Sequence, residues 1–256
     1  MSVIKNEIPL LEYDDDPAAV IMPGHQGLAL QLPQKVVFAF LGECVDHYAA
    51  EQQAPILAEF VSITKKYPIY LVRHKGQQIG LCQAPMGSAA AVQILDWLIG
   101  YGAKTILSAG SCGALVDLPE NTFLIPAKAL RDEGASYHYL PPARFVVLDE
   151  AVVQSMEATL NDLELPYTRC TTWSTDGFFR ETKEKIRYRA AEGCTVVEME
   201  CAALAACAEF RGVRFGQLLF TADSLANLEA YDERGWGEDS MEKALLLCLD
   251  MIADLG

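Results

Sequence analysis

The sequence predicts a single α/β domain with a central, mostly parallel or mixed sheet flanked by helices. Three observations predict it. Apolar runs of strand length alternate with longer helical stretches, as in chains that wind helices over a sheet. Several of those runs are apolar on both faces, which suits strands covered on both sides. No linker, low-complexity tract or internal repeat interrupts the alternation, so residues 1–256 read as one domain.

Taken in order, the strands are expected at 18–22, 36–41, 69–72, 79–83, 105–109, 123–126, 167–173, 195–197 and 215–221, each an apolar run bounded by turn residues. The helices are expected at 44–59, 88–101, 150–163, 182–192, 201–210 and 239–255. The 201–210 stretch has almost no polar face and follows the buried strand end at Val196 and Val197, so it belongs deep in the core.

Composition narrows the function. With 51% hydrophobic and 21% charged residues, a sizeable core is available. A net charge of −15 argues against nucleic acid or an anionic membrane as the partner, though not against a small anion in a local pocket. The eight cysteines show no CxxC pair and no Cys/His zinc spacing, and no metal site is expected. The polar, acidic N-terminus and the absence of a bilayer-length apolar run point to a reduced, cytoplasmic setting.

Open parallel sheets bind ligands at the carboxyl ends of their strands, and five strand exits here are unusual. Met22-Pro-Gly24 is one. Ala109-Gly-Ser-Cys-Gly-Ala114 is a glycine turn whose small residues let backbone amides approach an anion, with the Ser111 hydroxyl as a donor. It also reads as an ordinary tight turn. Thr175-Asp-Gly-Phe-Phe-Arg180 offers two rings for stacking on a flat heterocycle and Arg180 for its edge, or simply core packing. Glu198 and Glu200 flank Met199 where burial is expected, a costly place for carboxylates without donors such as a sugar diol. The plain alternative is two acids favoured at a helix start. Asp223 follows a very apolar run, where burial would raise its pKa toward that of a general acid; its plain alternative is a helix N-cap. His138, in a charged and aromatic stretch, is a ligand contact or a surface residue. Tyr231-Asp-Glu-Arg-Gly-Trp236 is a flap over a ligand, bringing Arg234, or a solvated loop.

Together, Met22-Pro-Gly24, Gly110-Ser-Cys-Gly-Ala114, Asp176-Gly-Phe-Phe179, Val197-Glu-Met-Glu200 and Asp223 resemble, in that order, the nucleoside phosphorylase superfamily. That group contains hexameric bacterial purine nucleoside phosphorylase, uridine phosphorylase and the methylthioadenosine/adenosylhomocysteine nucleosidases. The resemblance spans about residues 18 to 250. It implies a nucleoside phosphorylase acting on a uridine or purine nucleoside, with inorganic phosphate as co-substrate and no organic cofactor or metal. It implies a homodimer, or a homohexamer built as a trimer of dimers. Glu200 and Asp223 would be catalytic, Glu200 accepting from the ribose hydroxyls and Asp223 protonating the departing base. Met199 would hold the ribose with Glu200, and Glu198 would contact the substrate. Phe178, Phe179 and Arg180 would meet the base, with His138 and Arg234 completing the substrate contacts. Gly24, Gly110 and Ser111 would line the phosphate side.

The departures concern phosphate. Leu28 and Ser108 stand where phosphorylases usually carry arginines, and the place of a third, donated by a neighbouring subunit, falls at Lys65. Each lost guanidinium removes charge-assisted hydrogen bonds worth ~1.5–3 kcal/mol. Phosphate would then rely on groups such as His25, Lys65, Arg73 or Arg131. Alternatively water is the nucleophile, as in the nucleosidase branch, which relies on a glutamate near the N-terminal strand; Gly24-His-Gln-Gly27 offers none. A non-catalytic nucleoside-binding protein of the same fold is the third alternative.

Overall fold

In the computed structural model, which describes residues 3–256, the alternation becomes a mixed sheet flanked by helices. Its centre is β1 (Lys35–Ala39) running parallel to β5 (Thr105–Ala114), with Val36 opposite Ile106. Val36 to Ala39 are buried on both faces, the environment that an unbroken apolar run requires. An arm extends from β1: β4 (Gln77–Gln83) parallel to it, then β3 (Lys66–His74) and β2 (Ile56–Val61), each antiparallel to its neighbour.

On its other side β5 pairs in parallel with β10 (Arg214–Ser224). β6 (Phe123–Asp132) is antiparallel to β10, and β8 (Tyr167–Thr175) is parallel to β6. β9 (Val196–Glu198) is parallel to β8 and returns antiparallel to the end of β5, closing these strands into a ring. Short β7 (Phe145–Val147) edges β6. β5 therefore changes partner midway: Thr105 to Leu107 pair with β1, whereas Gly113 and Ala114 pair with β9. A crevice opens where its first neighbour has ended and its second has not begun.

Two helical groups cover the sheet. α2 (Ser88–Gly100) packs on α5 (Cys201–Arg211), while α6 (Met241–Asp254) packs on α1 (Cys44–Glu51) and α3 (Glu150–Asp162). Asp149 caps α3, accepting from Ala151 N at 2.9 Å, and Thr182 caps α4 (Lys183–Ala191) through Lys185 N. Every residue of α5 from Cys201 to Ala208 is buried, as its missing polar face predicts.

Two expected elements differ. Residues 18–22 form no strand: Val20 and Ile21 are exposed, and the segment runs outside the sheet, where Arg211 Nη1 donates to Pro17 O. Apolar residues alone do not make a strand without an edge to pair with. The first helix stops at Glu51 rather than at 59. Gln53 turns to φ +49°, and Pro55 disfavours helix at the residue before it, so the chain re-emerges as β2. In addition, 110–114 is strand rather than turn, and Asp223 lies within β10 rather than at a helix start.

Candidate active site

The crevice beside β5 holds a cavity of about 610 Å³. Strand exits line it: Phe40 and Gly42 beyond β1, Gln83 and Ala84 at β4, Gly110 to Gly113 in β5, Met199 and Glu200 beyond β9, and Ala222 and Asp223 in β10. Phe178, Phe179 and Glu181, which follow β8, and Trp236, which precedes α6, line it as well. A smaller adjoining cavity of about 430 Å³ shares Phe178, Phe179, Glu181, Asp223 and Trp236 and adds Leu225 and Tyr231.

The two glutamates at the start of α5 are held differently. Glu198 is buried and accepts from Thr172 Oγ1 (3.2 Å), Ser174 Oγ (2.5 Å), Glu200 N (2.8 Å) and Cys201 N (2.7 Å). Burial pushes its carboxyl up while these four donors oppose the shift. Its role in the fold is to fix the turn that aims Met199 and Glu200. Glu200 accepts from Gly87 N at 2.6 Å, and burial followed by repulsion from Glu198 pushes it up to about 8. Gly87 has φ +97°, a conformation that a side chain would strain, so this loop needs glycine to present its amide. Ser88 Oγ donates to Met199 O at 2.5 Å and ties the same turn to α2.

Asp223 faces the cavity from β10. Burial raises its pKa, opposed by a hydrogen bond from the Tyr231 hydroxyl and the positive charge of Arg234. Gly113 makes room for it: a methyl group there would lie 2.8 Å from Leu225 Cδ1 and 3.1 Å from Asp223 Oδ1. Glu181 is pushed up to about 7 by burial, then by the Asp223 charge. At about 7, the Glu181 carboxyl exchanges its proton near neutral pH, as a general acid or base does.

Of the residues singled out in the sequence, Glu198, Met199, Glu200, Asp223, Phe178, Phe179, Gly110 and Ser111 meet in this cavity. Others are elsewhere. Arg180 ends the short turn after β8 and is exposed. Arg234 donates to Leu118 O at 2.8 Å. His138 lines a second, larger cavity beside α2, with Met22 and His25. Gly24 lies against Gly100 at the end of α2, because the first strand is β1 and its exit is Phe40-Leu41-Gly42, not Met22-Pro-Gly24. Lys65, in the β2–β3 turn, reaches Gln83 Oε1 at 3.4 Å without lining the cavity. Arg131 is committed to Ser136 Oγ, Leu140 O and Pro141 O. The Cys112 thiol is pushed well up by burial, which removes it as a nucleophile.

Sequence reasoning missed Phe40, Gln83, Glu181 and Gln217 as lining residues. Glu181 sits among charged neighbours after β8 and carries no periodic signal; Gln217 looks like one polar residue in a core strand. No Lys, Arg or His is among the lining residues.

The sequence matches the family model described as "Phosphorylase superfamily" over residues 35–252, beginning with β1. It is 24% identical to a guanosine phosphorylase of Halorubrum lacusprofundi, over 77% of this chain and 85% of that protein. In structure it resembles a uridine phosphorylase from Vibrio fischeri, with a TM-score of 0.74 and 20% identity over 88% of this chain and 94% of the other. It also resembles an AMP nucleosidase from Bacteroides thetaiotaomicron, with a TM-score of 0.71 and 22% identity over 87% and 88% of the two chains. At these identities the structural likenesses establish the fold alone.

Proposed function

The chain belongs to the phosphorylase superfamily, and from that premise we propose that it cleaves the N-glycosidic bond of a purine nucleoside with inorganic phosphate, releasing free base and ribose 1-phosphate. The observation that carries this reading is the meeting of Glu200, Asp223 and Phe178 in one cavity. Glycosidic cleavage passes through an oxocarbenium-like sugar, here with negative charge building on the base. In this reading Glu200 and Met199 hold the ribose, and Glu200 accepts from its hydroxyls. Phe178 packs on the base. Asp223, its carboxyl raised by burial, delivers the proton to a ring nitrogen of the leaving base. Gly110 and Ser111 line the phosphate side, and Lys65 approaches it through Gln83. The name of the Halorubrum relative supports phosphorolysis of a purine.

The absence of any cation among the lining residues favours a second reading, in which water is the nucleophile. The glutamate that this chemistry calls for is Glu43, which follows β1, yet its side chain is 90% exposed and faces His47. Phosphorolysis is therefore the reading adopted. Neither an organic cofactor nor a metal enters it. The exposed apolar side chains Val20, Ile63 and Met86 suit burial against a second copy, so a homodimer or trimer of dimers, working in the cytoplasm, completes the proposal.

The test is base release from a panel of nucleosides with and without phosphate, together with identification of the sugar. Ribose 1-phosphate and loss of release without phosphate are expected. Full-rate release without phosphate, giving free ribose, would overturn phosphorolysis in favour of hydrolysis.

A further inference from the structure

Gln217 has no place in the scheme above, yet it lines the main cavity from within β10 and is only 1% exposed. Its Oε1 is buried without a hydrogen-bond partner among the described residues. Across the parallel ladder it stands opposite Ser108, whose Oγ is equally unpartnered, so the two do not satisfy each other. Residues opposite one another share a face of the sheet, and alternate residues continue that face. Gln217 and Ser108 therefore point the same way as Gly110 and Cys112, which line the cavity. A buried carbonyl oxygen without a donor is costly unless a ligand supplies one. The ligand that fits here brings a hydrogen with it.

We propose that Gln217 reads the attacking anion, its Oε1 accepting the P–O–H hydrogen of hydrogen phosphate, and that the site thereby separates phosphate from sulfate. This rests on the phosphorolysis reading above, which puts phosphate beside Gly110 and Ser111. No Lys, Arg or His is among the described residues that line the cavity, so local charge does not choose the anion. A side-chain amide is neutral, and its oxygen responds only to whether the facing atom carries a hydrogen. Phosphate and sulfate match in size and shape, so the walls do not separate them. Near neutral pH phosphate keeps an O–H, whereas sulfate has none and sets a lone pair against the Gln217 carbonyl. The ionised phosphate oxygens make no demand on Gln217, and one of them attacks the anomeric carbon. Discrimination comes from leaving a buried acceptor unpaired when the wrong anion is bound.

The experiment measures base release from a purine nucleoside against phosphate concentration, with sulfate as competitor, in wild type and in Gln217→Met. Methionine keeps the length of the side chain and removes its acceptor. In wild type, sulfate is expected to bind at least about tenfold more weakly than phosphate. In the variant the KM for phosphate is expected to rise about tenfold, with the nucleoside KM little changed, so that the gap to sulfate closes. Sulfate competing as well as phosphate in wild type, or an equal weakening of both anions in the variant, overturns the assignment. The wild-type comparison decides even where the variant does not fold. Base release that needs no phosphate sinks the phosphorolysis reading instead. Calorimetric titration of the wild type with each anion then still decides on Gln217: preference for phosphate supports it, and equal or absent binding overturns it.

Discussion

At the scale of single residues, the site depends on carboxyls kept from water. Glu200, pushed up to about 8, holds a proton in the folded state that the unfolded chain releases above its ordinary value of 4.5. Folded protein thus binds more protons between those values, so its stability falls as pH rises through the interval and levels off above about 8. Thermal melts of the ligand-free protein should show Glu200→Gln flattening the decline between pH 5 and 8; parallel curves would reject the burial argument. In the proposed reaction the same substitution should lower turnover by roughly 100-fold, since the amide keeps only one of the two oxygens that face the ribose hydroxyls. Asp223→Asn should cost at least about 100-fold on purine nucleosides and distinctly less on uridine, if both are cleaved. Steady-state kinetics with both substrates checks this, and equal losses would remove the base-protonation role.

Between elements, α2 and α5 are locked by one buried ion pair. Arg211 Nε and Nη2 meet the Asp96 carboxylate at 2.8 and 2.9 Å, and the Tyr139 hydroxyl donates to the same group at 3.1 Å. Breaking such a pair from one side leaves an uncompensated charge, so Asp96→Ala should destabilise the protein by about 3 kcal/mol. Urea unfolding measures it. Since Ser88 and Gly87 at the start of α2 grip Met199 and Glu200, ribose-side KM should rise in the same variant. The elements themselves were largely legible. The helices at 88–101, 150–163, 182–192 and 201–210 end within a residue or two of their observed bounds, because caps and apolar periodicity are local signals. The strand expected at 18–22 and the helix expected through 59 differ because apolar content does not report whether a pairing edge exists, and because Pro55 disfavours helix before it.

For the molecule as a whole, charge sets what enters. The chain carries −15, and no Lys, Arg or His is among the described residues that line the cavity. Nucleoside 5′-monophosphates should therefore be turned over at about a tenth or less of the rate of the parent nucleosides, a difference that added salt should narrow. Assays of adenosine against its 5′-phosphate at low and high ionic strength check this. Faster cleavage of the monophosphate would mean that a basic group reaches the site.

The sequence by itself determined the α/β class, the family and eight residues that line the cavity, because each of these is written in local chemistry. Acidic residues interrupting apolar runs, small residues at a strand exit and paired rings are visible without coordinates. Tertiary structure decided which strand comes first, and so moved the cavity-lining exit from Gly24 to Gly42. It also separated two glutamates two positions apart, one saturated by donors and one facing the cavity, and it brought Glu181 beside Asp223. Those outcomes depend on where β5 exchanges β1 for β9, a long-range pairing that no local pattern encodes.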